Sequence, residues 1–550
     1  MNKLKPKLFS VMKTYTKEQF IKDVVAGIIV AIIALPLSVA LAIASGVGPE
    51  RGIYTAIVAG FVIAFLGGSR VQVSGPTAAF ATIVAGIVAS KGMDGLIIAT
   101  IMAGILLILM GLFRFGTLIK FIPFSITTGF TAGIAVTLLI GQLKDFFGLS
   151  IVSEHPLIET VDKLKYDILF INTFNFQAFL VGAVSLAILI VWPIVFKKGF
   201  LSKIPPSLIA VIVSIFMVLG LSMNVNTIGD LYTIPTGLPK FSAPHVSFTQ
   251  IRELLPDAFT IAVLAAIESL LSCVVSDSMI NSRHNSNMEL VAQGTGNIAS
   301  VLFGGIPATG AIARTAANIK NGGRTPIASM VHALTLLLVL VVLMPYASLI
   351  PMPTIAAILI MVAYNMSGWK TFVNMCKTAP KSDIIVLVAT FVLTVVFDLV
   401  VAIEVGMVIT FVLFVKRMSD ETLVKGWKLV EDENDPDSIT LRKVPKDTMV
   451  YEISGPMFFG AADKILGITV EDKMENLILR MRSVNAIDAT ALNSLMTLSK
   501  NCKKNNVRLI FSHVNEQPMQ AMKKSGLFAE VGEENFCVHI DDALKRAEEA

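Results

Sequence analysis

Long apolar runs dominate the first three quarters of this chain and decide what it can fold into. Up to Arg417 the sequence is a series of apolar runs of about 14 to 24 residues, the length that carries a helix across roughly 30 Å of hydrocarbon. Hydrophobic residues make up 54% of the 550 residues and charged residues only 15%. These features exclude a purely soluble enzyme and predict a polytopic α-helical membrane protein.

Two interrupted segments complete the pattern of membrane crossings. Residues 71–89 and 306–319 are apolar but contain Gly and Pro, and with twelve uninterrupted runs they give fourteen transmembrane elements. An even number of crossings places both termini on one side of the membrane. With the N-terminus inside, 20 of the 28 Lys and Arg residues before position 418 face the cytoplasm and seven face outside. Because cytoplasmic loops are rich in Lys and Arg, we predict that both termini are cytoplasmic.

The remaining composition indicates no metal centre and no cofactor. The four cysteines lie far apart without a CxxC spacing, and the six histidines form no local cluster. Neither a disulfide framework nor a zinc site is therefore expected. A net charge of +5 is too small to indicate binding to nucleic acid.

The two interrupted segments resemble each other and indicate an internal repeat. One reads FLGGSRVQVSGPTAAFA from Phe65, and the other reads VLFGGIPATGAIARTAAN from Val301. Seven elements separate them, so the second half enters the membrane from the opposite side. Interrupted helices in corresponding halves mark transporter substrate sites, because their N-termini present unpaired N–H groups that attract anions. The small residues that would let a ligand approach are Gly75, Ala78, Gly310 and Ala311. The alternative is that these residues serve only tight helix packing.

These motifs resemble those of the SulP anion transporters. The stretches GIIVAIIALPLSVALAIASGV, GGSRVQVSGPTAAF and GGIPATGAIARTAANIKNGGRTPIA carry the resemblance, which extends over nearly the whole chain. Within the family, AIESLLS and VAYNMSGW look most like the DauA-type C4-dicarboxylate transporters of bacteria. The resemblance implies a 7+7 inverted repeat, a core domain that carries the anion, a gate domain, and elevator-type alternating access.

The resemblance also implies an anion site in the first, third and tenth elements. Its residues are Pro36, Leu37, Leu41, Thr77, Ala78, Gly310, Ala311, Ile312, Ala313 and Arg314. Several relatives have a polar residue in place of Leu37, and Ser or Thr in place of Ile312 or Ala313. Backbone N–H groups, Thr77 and Arg314 would then contribute more of the binding. A less polar pocket would suit a carboxylate that has a carbon skeleton.

Two ionisable residues lie within predicted membrane helices, where burial of a charge is costly. Arg314 either contributes positive potential to the anion site or forms a permanent ion pair, for example with Glu268. Glu268 either binds a proton, coordinates a sodium ion together with Ser272 one turn later, or is a hydrogen-bonded packing carboxylate. Bicarbonate-type relatives have a sodium site here but use Asp, so a proton is the first candidate and sodium the second.

The C-terminal region is rich in charged residues and reads as a small cytoplasmic α/β domain. Strand-like runs at 449–453, 477–481 and 507–512 alternate with helix-like stretches that begin at Ala461, Ala489 and Glu516. This region resembles a STAS domain. Its segment RSVNAIDATALNSL resembles the loop that carries a phosphorylatable serine in anti-sigma-factor antagonists, and Thr490 occupies the comparable position. Asp488 is expected either to cap the following helix or to take part in regulation.

We therefore predict a cytoplasmic segment at 1–22, a transporter domain at 23–418 and a STAS domain at 430–550. The expected function is secondary active transport of a C4-dicarboxylate or similar anion, by a homodimer in the bacterial inner membrane. Transport would be coupled to protons or sodium, or would proceed by exchange. Sulfate or bicarbonate transport is the alternative within the family, and a non-transporting anion sensor that signals to a cytoplasmic partner of the STAS domain is the alternative outside it.

Overall fold

The chain divides into two compact units, Met1–Met407 and Val408–Ala550, called here the membrane unit and the C-terminal unit. The computed structural model describes residues 4–117, 123–153, 157, 159–196, 204–232, 237–244, 247–397, 399–426, 438–468 and 474–549. The membrane unit is almost entirely helical, whereas the C-terminal unit contains a five-stranded sheet. This is the architecture that the hydropathy pattern predicts.

The first half of the membrane unit contains both long helices and short connecting ones. Its elements are α1 (Lys7–Val11), α2 (Lys17–Ala44), α3 (Pro49–Leu66), β1 (Ser74–Gly75), α4 (Ala78–Leu112), α5 (Phe124–Gly141), α6 (Leu143–Phe147), α7 (Thr160–Leu169), α8 (Phe176–Val195), α9 (Pro206–Gly220) and α10 (Ile228–Leu231). Helix α2 begins where the Thr16 hydroxyl accepts a hydrogen bond from the Gln19 amide. Helix α3 begins at Pro49, where the first N–H of a helix has no partner within the helix, so proline forfeits no hydrogen bond.

The second half repeats the same order of long and interrupted elements. It contains α11 (Phe248–Ile280), α12 (Ser286–Leu302), β2 (Thr309–Gly310), α13 (Ile312–Lys320), α14 (Pro326–Leu343), α15 (Met352–Ser367), α16 (Trp369–Thr378) and α17 (Lys381–Val396). Helix α18 (Leu399–Glu421) begins in the membrane unit and continues into the C-terminal unit. Helix α11 starts at a capping box between Ser247 and Gln250 and ends at Asn281, which adopts a left-handed conformation.

Gly92 divides α4 into two membrane crossings. Its backbone has φ 72° and ψ −177°, a conformation that residues with a Cβ rarely adopt. The helical part of the element predicted at 71–89 and the crossing predicted at 96–112 therefore both lie in α4, whereas residues 71–77 precede it and include β1. Among the described residues, seven helices are long and apolar enough to cross a membrane. This number is below the fourteen predicted elements because α4 counts once and because several helices, including α9, α13 and α14, are shorter than a full crossing among the described residues.

The helices of the membrane unit pack in two groups. Elements α2, α3, α4 and α11 to α14 contact one another and form the core group, whereas α5, α6, α8, α9, α15 and α17 form the gate group. Helix α2 also contacts α9 and α15, so it lies at the boundary between the groups. The two strands β1 and β2 both belong to the core group.

Strands β1 and β2 cross as an antiparallel pair, with Ser74 opposite Gly310 and Gly75 opposite Thr309. The crossing extends beyond the strands, because the Val73 carbonyl accepts a hydrogen bond of 2.9 Å from the Ala311 amide. Each strand is followed at once by a helix, α4 or α13. The predicted inverted repeat therefore brings its two interrupted segments into direct contact.

The C-terminal unit is a mixed sheet with helices on both faces. Its strands are β3 (Leu423–Gly426), β4 (Thr448–Ser454), β5 (Asn476–Ser483), β6 (Arg508–Ser512) and β7 (Phe536–Cys537), in that spatial order, and only the β3–β4 pair is antiparallel. Its helices are α19 (Ala462–Leu466), α20 (Ala489–Lys504), α21 (Glu516–Ser525), α22 (Leu527–Val531) and α23 (Ile540–Glu548).

Alternate residues of the central strands fill two separate cores. Leu477 and Leu479 face one core, which includes Phe511, and Ile478 faces the other together with Ile510, as the period of two in a strand requires. The three predicted strands are confirmed as β4, β5 and β6. The sequence did not predict β3 and β7, which have four and two residues and lie at the edges of the sheet.

Candidate functional site

The crossing of β1 and β2 brings two helix N-termini into one place. The residues before α4 and α13 are Thr77 and Ala311, and neither forms a side-chain cap on its helix. The first N–H groups of a helix have no partner within the helix, and the aligned peptide dipoles add partial positive charge there. The two interrupted segments therefore place two uncapped, electropositive helix ends beside each other.

Glycine is needed where the strands cross, because side chains from the opposite segment lie against the backbone. A Cβ at Gly75 would lie 2.5 Å from Nη1 of Arg314, and a Cβ at Gly310 would lie 2.3 Å from Nε2 of Gln72. Both distances are shorter than real Cβ contacts. These glycines therefore allow tight packing as well as close approach to the backbone, so the two functions proposed for them from the sequence are both compatible with the geometry.

Arg314 is a buried cation with no acidic partner among the residues that the structure describes. Its side chain is 1% exposed, and Nη2 donates to the Pro76 carbonyl at 3.1 Å and to the Ser38 hydroxyl at 3.3 Å. Its Nε and Nη1 atoms have no hydrogen-bond partner in the described part of the chain. The permanent ion pair with Glu268 that the sequence left open is not formed. An unpaired guanidinium at this depth places strong positive potential beside β1.

Glu268 contacts the start of α4 instead. The Thr77 hydroxyl donates a hydrogen bond of 2.9 Å to Oε2 of Glu268, and the Glu268 side chain is partly exposed. Because this hydroxyl is occupied by Glu268, it does not cap α4 and leaves the helix N–H groups available. Ser272 lies one turn further along α11, buried, and its hydroxyl has no partner among the described residues.

The residues implied by the resemblance divide into accessible and buried ones. Leu37 is partly exposed and lines a cavity of about 520 Å³ together with Ile33 and Ile358. Ile312 is 45% exposed, Ala313 is exposed, and Ala311 and Thr77 are partly exposed. The buried members are Pro36, Leu41, Ala78, Gly310 and Arg314. The structure thus brings α2, α4 and α13 together, but Leu41 packs in the apolar core and Arg314 lies behind β1.

A second buried carboxylate, Glu289, was missed by the sequence reasoning. It is 1% exposed and accepts hydrogen bonds from the amides of Gly68 and Ser69 and from the side chains of Gln72 and Gln293, all at 2.9 to 3.1 Å. It thereby fixes the linker that leads into β1. The available signal was an acidic residue that begins an otherwise apolar helix, α12.

The other linker is held in a reciprocal way. The Thr55 hydroxyl on α3 accepts a hydrogen bond of 2.7 Å from the Ile306 amide, so each repeat anchors the linker of the other. Asn297 adds two bonds of 2.8 Å to the backbone of Ala308. These contacts hold both strands in place and make the crossing a preorganised site.

In the C-terminal unit, Asp488 caps α20. Its carboxylate accepts a hydrogen bond of 2.8 Å from the Ala491 amide and another of 3.0 Å from the Phe459 amide. Thr490 is exposed in the first turn of the same helix. The capping that the sequence indicated for Asp488 is therefore present, and Thr490 is accessible to solvent.

Comparison with known proteins agrees with this description. The model of the sulfate permease family matches residues 20–390, and the STAS domain model matches residues 439–545. The chain is 41% identical over 540 residues to the putative sulfate transporter YvdB of Bacillus subtilis, covering 96% of this chain and 98% of the relative. It is 29% identical over 546 residues to the bicarbonate transporter BicA of Picosynechococcus, covering 96% and 94%.

Solved structures show the same fold. The murine Slc26a9 anion transporter in the inward-facing state matches with a TM-score of 0.88 and 19% identity, covering 99% of this chain and 94% of that one. The transmembrane domain of a cyanobacterial BicA matches with a TM-score of 0.62 and 27% identity, covering 72% and 98%. The chain is a multi-pass membrane anion transporter and not an enzyme. It belongs to the sulfate permease, or SulP, family and carries a C-terminal STAS domain.

Proposed function

We propose that this chain is a secondary active transporter that binds its anion where β1 and β2 cross and carries it by movement of the core group against the gate group. The observation that supports this most strongly is the Arg314 guanidinium, which has no acidic partner in the described part of the chain, beside two uncapped helix ends. An anion at the helix ends would gain from both dipoles and from this charge. A fixed packing role alone would not require an unpaired cation at that depth.

The cavity next to the site supports alternating access. It has a volume of about 520 Å³ and lies between the core helix α2, through Ile29 and Ile33, and the gate helices α8, α9 and α15. Its α2 residues, Ile29, Ile33 and Leu37, lie nearer to the start of α2 than Ile43 and Ala44, which line a cavity of only about 140 Å³ at the end of that helix. With cytoplasmic termini in the bacterial inner membrane, this conformation is open to the inside.

The proposed substrate is a C4-dicarboxylate. The accessible surface at the site is formed by Leu37, Ile312 and Ala313 together with backbone N–H groups. Such a surface contacts a carbon chain favourably, whereas its helix ends bind carboxylates. Sulfate is the second candidate, because a relative that is 41% identical carries the name of a putative sulfate transporter. Bicarbonate is the third, from the name of BicA.

We further propose that Glu268 carries the coupling ion. Its partial exposure and its hydrogen bond to Thr77 connect the carboxylate to the helix end that holds the anion. A proton on Glu268 would remove a negative charge next to the substrate, so binding of the two would be cooperative. The Ser272 hydroxyl one turn away, which has no hydrogen-bond partner among the described residues, would instead act as a ligand to a sodium ion.

The C-terminal unit is proposed to regulate transport or assembly rather than to select the substrate. The site lies entirely in the membrane unit, whereas the exposed Thr490 next to the capped helix start offers a place for phosphorylation or a cytoplasmic protein partner. A homodimer is the proposed assembly.

Tracer uptake by the purified protein in liposomes tests the proposal. Succinate, sulfate and bicarbonate are compared, each with and without an inward proton or sodium gradient. Uptake of succinate that a gradient accelerates supports the proposal and identifies the coupling ion. Uptake of sulfate or bicarbonate alone would replace the substrate, and uptake of none of them would favour the non-transporting anion sensor.

A further inference from the structure

Four ionisable side chains gather at the end of the membrane unit opposite the start of α2. Lys144 and Asp145 lie on α6, and Lys163 and Asp167 lie on α7. Lys144, Lys163 and Asp167 line a cavity of about 270 Å³. Lys163 also lines the cavity of about 140 Å³ that reaches Ile43 at the end of α2. The cluster therefore lies next to the boundary between the core and gate groups.

These charges are close to one another but not paired. None of the four side chains forms an ion pair within 4.0 Å or a hydrogen bond with any residue that the structure describes. Buried charges are normally paired, because an unpaired one has lost its hydration, and Asp167 is only 6% exposed. The buried charge of this cluster is Asp167, whereas Lys163 is partly buried and Lys144 is exposed. Both ammonium groups line a cavity large enough for a small anion, and neither has a permanent partner among the described residues.

We propose that Lys144 and Lys163 form an entry site where the transported anion first binds at the outer face, and that Asp167 sets the charge of this site by binding a proton. This inference depends on the proposed transport function and on the cytoplasmic N-terminus. The entry site would be separate from the site at the β1–β2 crossing, because the entry site is built from α6 and α7 of the gate side. It would take the same class of ligand, a small anion.

The charge balance makes the entry site sensitive to pH. Two lysines and two ionised aspartates sum to zero, and one proton on Asp167 leaves the cluster with a charge of about +1. Burial raises the pKa of Asp167 to about 6, although the nearby Lys144 and Lys163 oppose the rise and Asp145 adds to it. The site would therefore attract anions more strongly below about pH 6 than above it.

Among the described residues, few other ionisable groups lie on the elements that pack against the cluster. Tyr232 follows α10 and interacts with Asp145. Helix α5, which packs on α7, contains no ionisable side chain, and α17 carries only Lys381 and Asp383, both in its first turn. Burial also lowers the pKa of Lys163, against the opposing effect of Asp167.

The test measures the KM for anion uptake into liposomes with equal pH on both sides, at pH 5.5 and 7.5, so that no proton gradient contributes. We expect Lys163→Gln to raise the KM about fivefold, the effect of one charge at a partly hydrated site, with a maximal rate close to that of the wild type. Asp167→Asn is expected to give the same low KM at both pH values. Lys165→Gln, an exposed neighbour on α7, is the control and should change neither.

If Lys163→Gln and Asp167→Asn both keep the wild-type KM and its pH dependence, the entry site is overturned and the proposed function remains intact. If the wild type transports no tested anion, the proposed function fails instead. The entry site is then judged by thermal unfolding of the purified protein with increasing sulfate. Stabilisation that is stronger at pH 5.5 and is weakened by Lys163→Gln supports it, and identical curves for the two proteins contradict it.

Discussion

The Thr77 hydroxyl donates a 2.9 Å hydrogen bond to Oε2 of Glu268, which joins the residue before α4 to the middle of α11. Thr77 and Glu268 are 191 residues apart in the chain. The bond keeps the Thr77 hydroxyl away from the N–H groups of α4, so these groups can bind a ligand. A change in the charge of Glu268 is therefore transmitted directly to one wall of the proposed anion site.

Glu268→Gln keeps the shape of the side chain and removes its ability to bind a proton or to carry charge. We expect gradient-driven uptake to fall at least about tenfold, which corresponds to about 1.4 kcal/mol, while exchange of internal for external anion is retained. Glu253→Gln is the control, since Glu253 is exposed on the same helix. Normal acceleration by the gradient in Glu268→Gln would exclude this carboxylate as the carrier of the coupling ion.

Arg314→Ala removes the unpaired charge beside β1. We expect anion affinity to fall by about tenfold or more, and Arg314→Lys to recover part of it because the charge returns without the bonds to Pro76 and Ser38. Arg283→Ala, at an exposed position, is the matched control. Equal loss of folded protein and of uptake in Arg314→Ala, with no recovery by lysine, would mean that the residue only stabilises the fold.

Gly75→Ala places a Cβ about 2.5 Å from Nη1 of Arg314. Relief of this overlap would shift the guanidinium or the strand and would cost about 1 to 3 kcal/mol. We expect a lower thermal stability and a marked loss of uptake. At Gly220, at the end of α9, an added Cβ would meet nothing within 4 Å, so Gly220→Ala should behave like the wild type. Full uptake by Gly75→Ala would show that the crossing tolerates displacement.

Asp488→Ala removes the cap of α20 in the C-terminal unit. Loss of an N-cap costs about 1 kcal/mol, and the bond to the Phe459 amide is lost as well. We expect easier unfolding of this unit, measured by limited proteolysis of the full chain, with substrate preference unchanged. Thr490→Ala, at an exposed position, should not alter unfolding. A changed substrate preference in Asp488→Ala would contradict the separation of functions between the two units.

The helices and the three central strands could be predicted from local patterns. Apolar runs determine the membrane helices, and alternating short runs in the last quarter correspond to β4, β5 and β6. The internal repeat was predicted because the two Gly- and Pro-interrupted segments resemble each other, whereas their crossing as β1 and β2 was not predicted. The ligand site predicted at these segments depended on the repeat, since neither segment alone distinguishes a ligand site from tight helix packing.

Contacts between distant residues could not be predicted in the same way. The bonds of Glu289 to Gly68 and Ser69 span more than 200 residues, and no local pattern specifies such pairs. The burial of Arg314 behind β1 depends on Gly75 leaving space for it. The sequence therefore singled out Arg314, whose functional role stays a prediction, but could not determine that its guanidinium binds the Pro76 carbonyl rather than Glu268.

Protection of one accessible cysteine by substrate tests the central claim most directly. Cysteine is introduced as Ala313→Cys, in a background where Cys376 and Cys537, which are partly exposed, are serine. Its reaction with a water-soluble thiol reagent is followed with increasing anion. Lys320→Cys, at the exposed end of α13, is the control. We predict that the transported anion slows labelling at position 313 with a half-effect near its KM and leaves position 320 unaffected. Labelling of position 313 that does not change at saturating anion would contradict a binding site at the β1–β2 crossing.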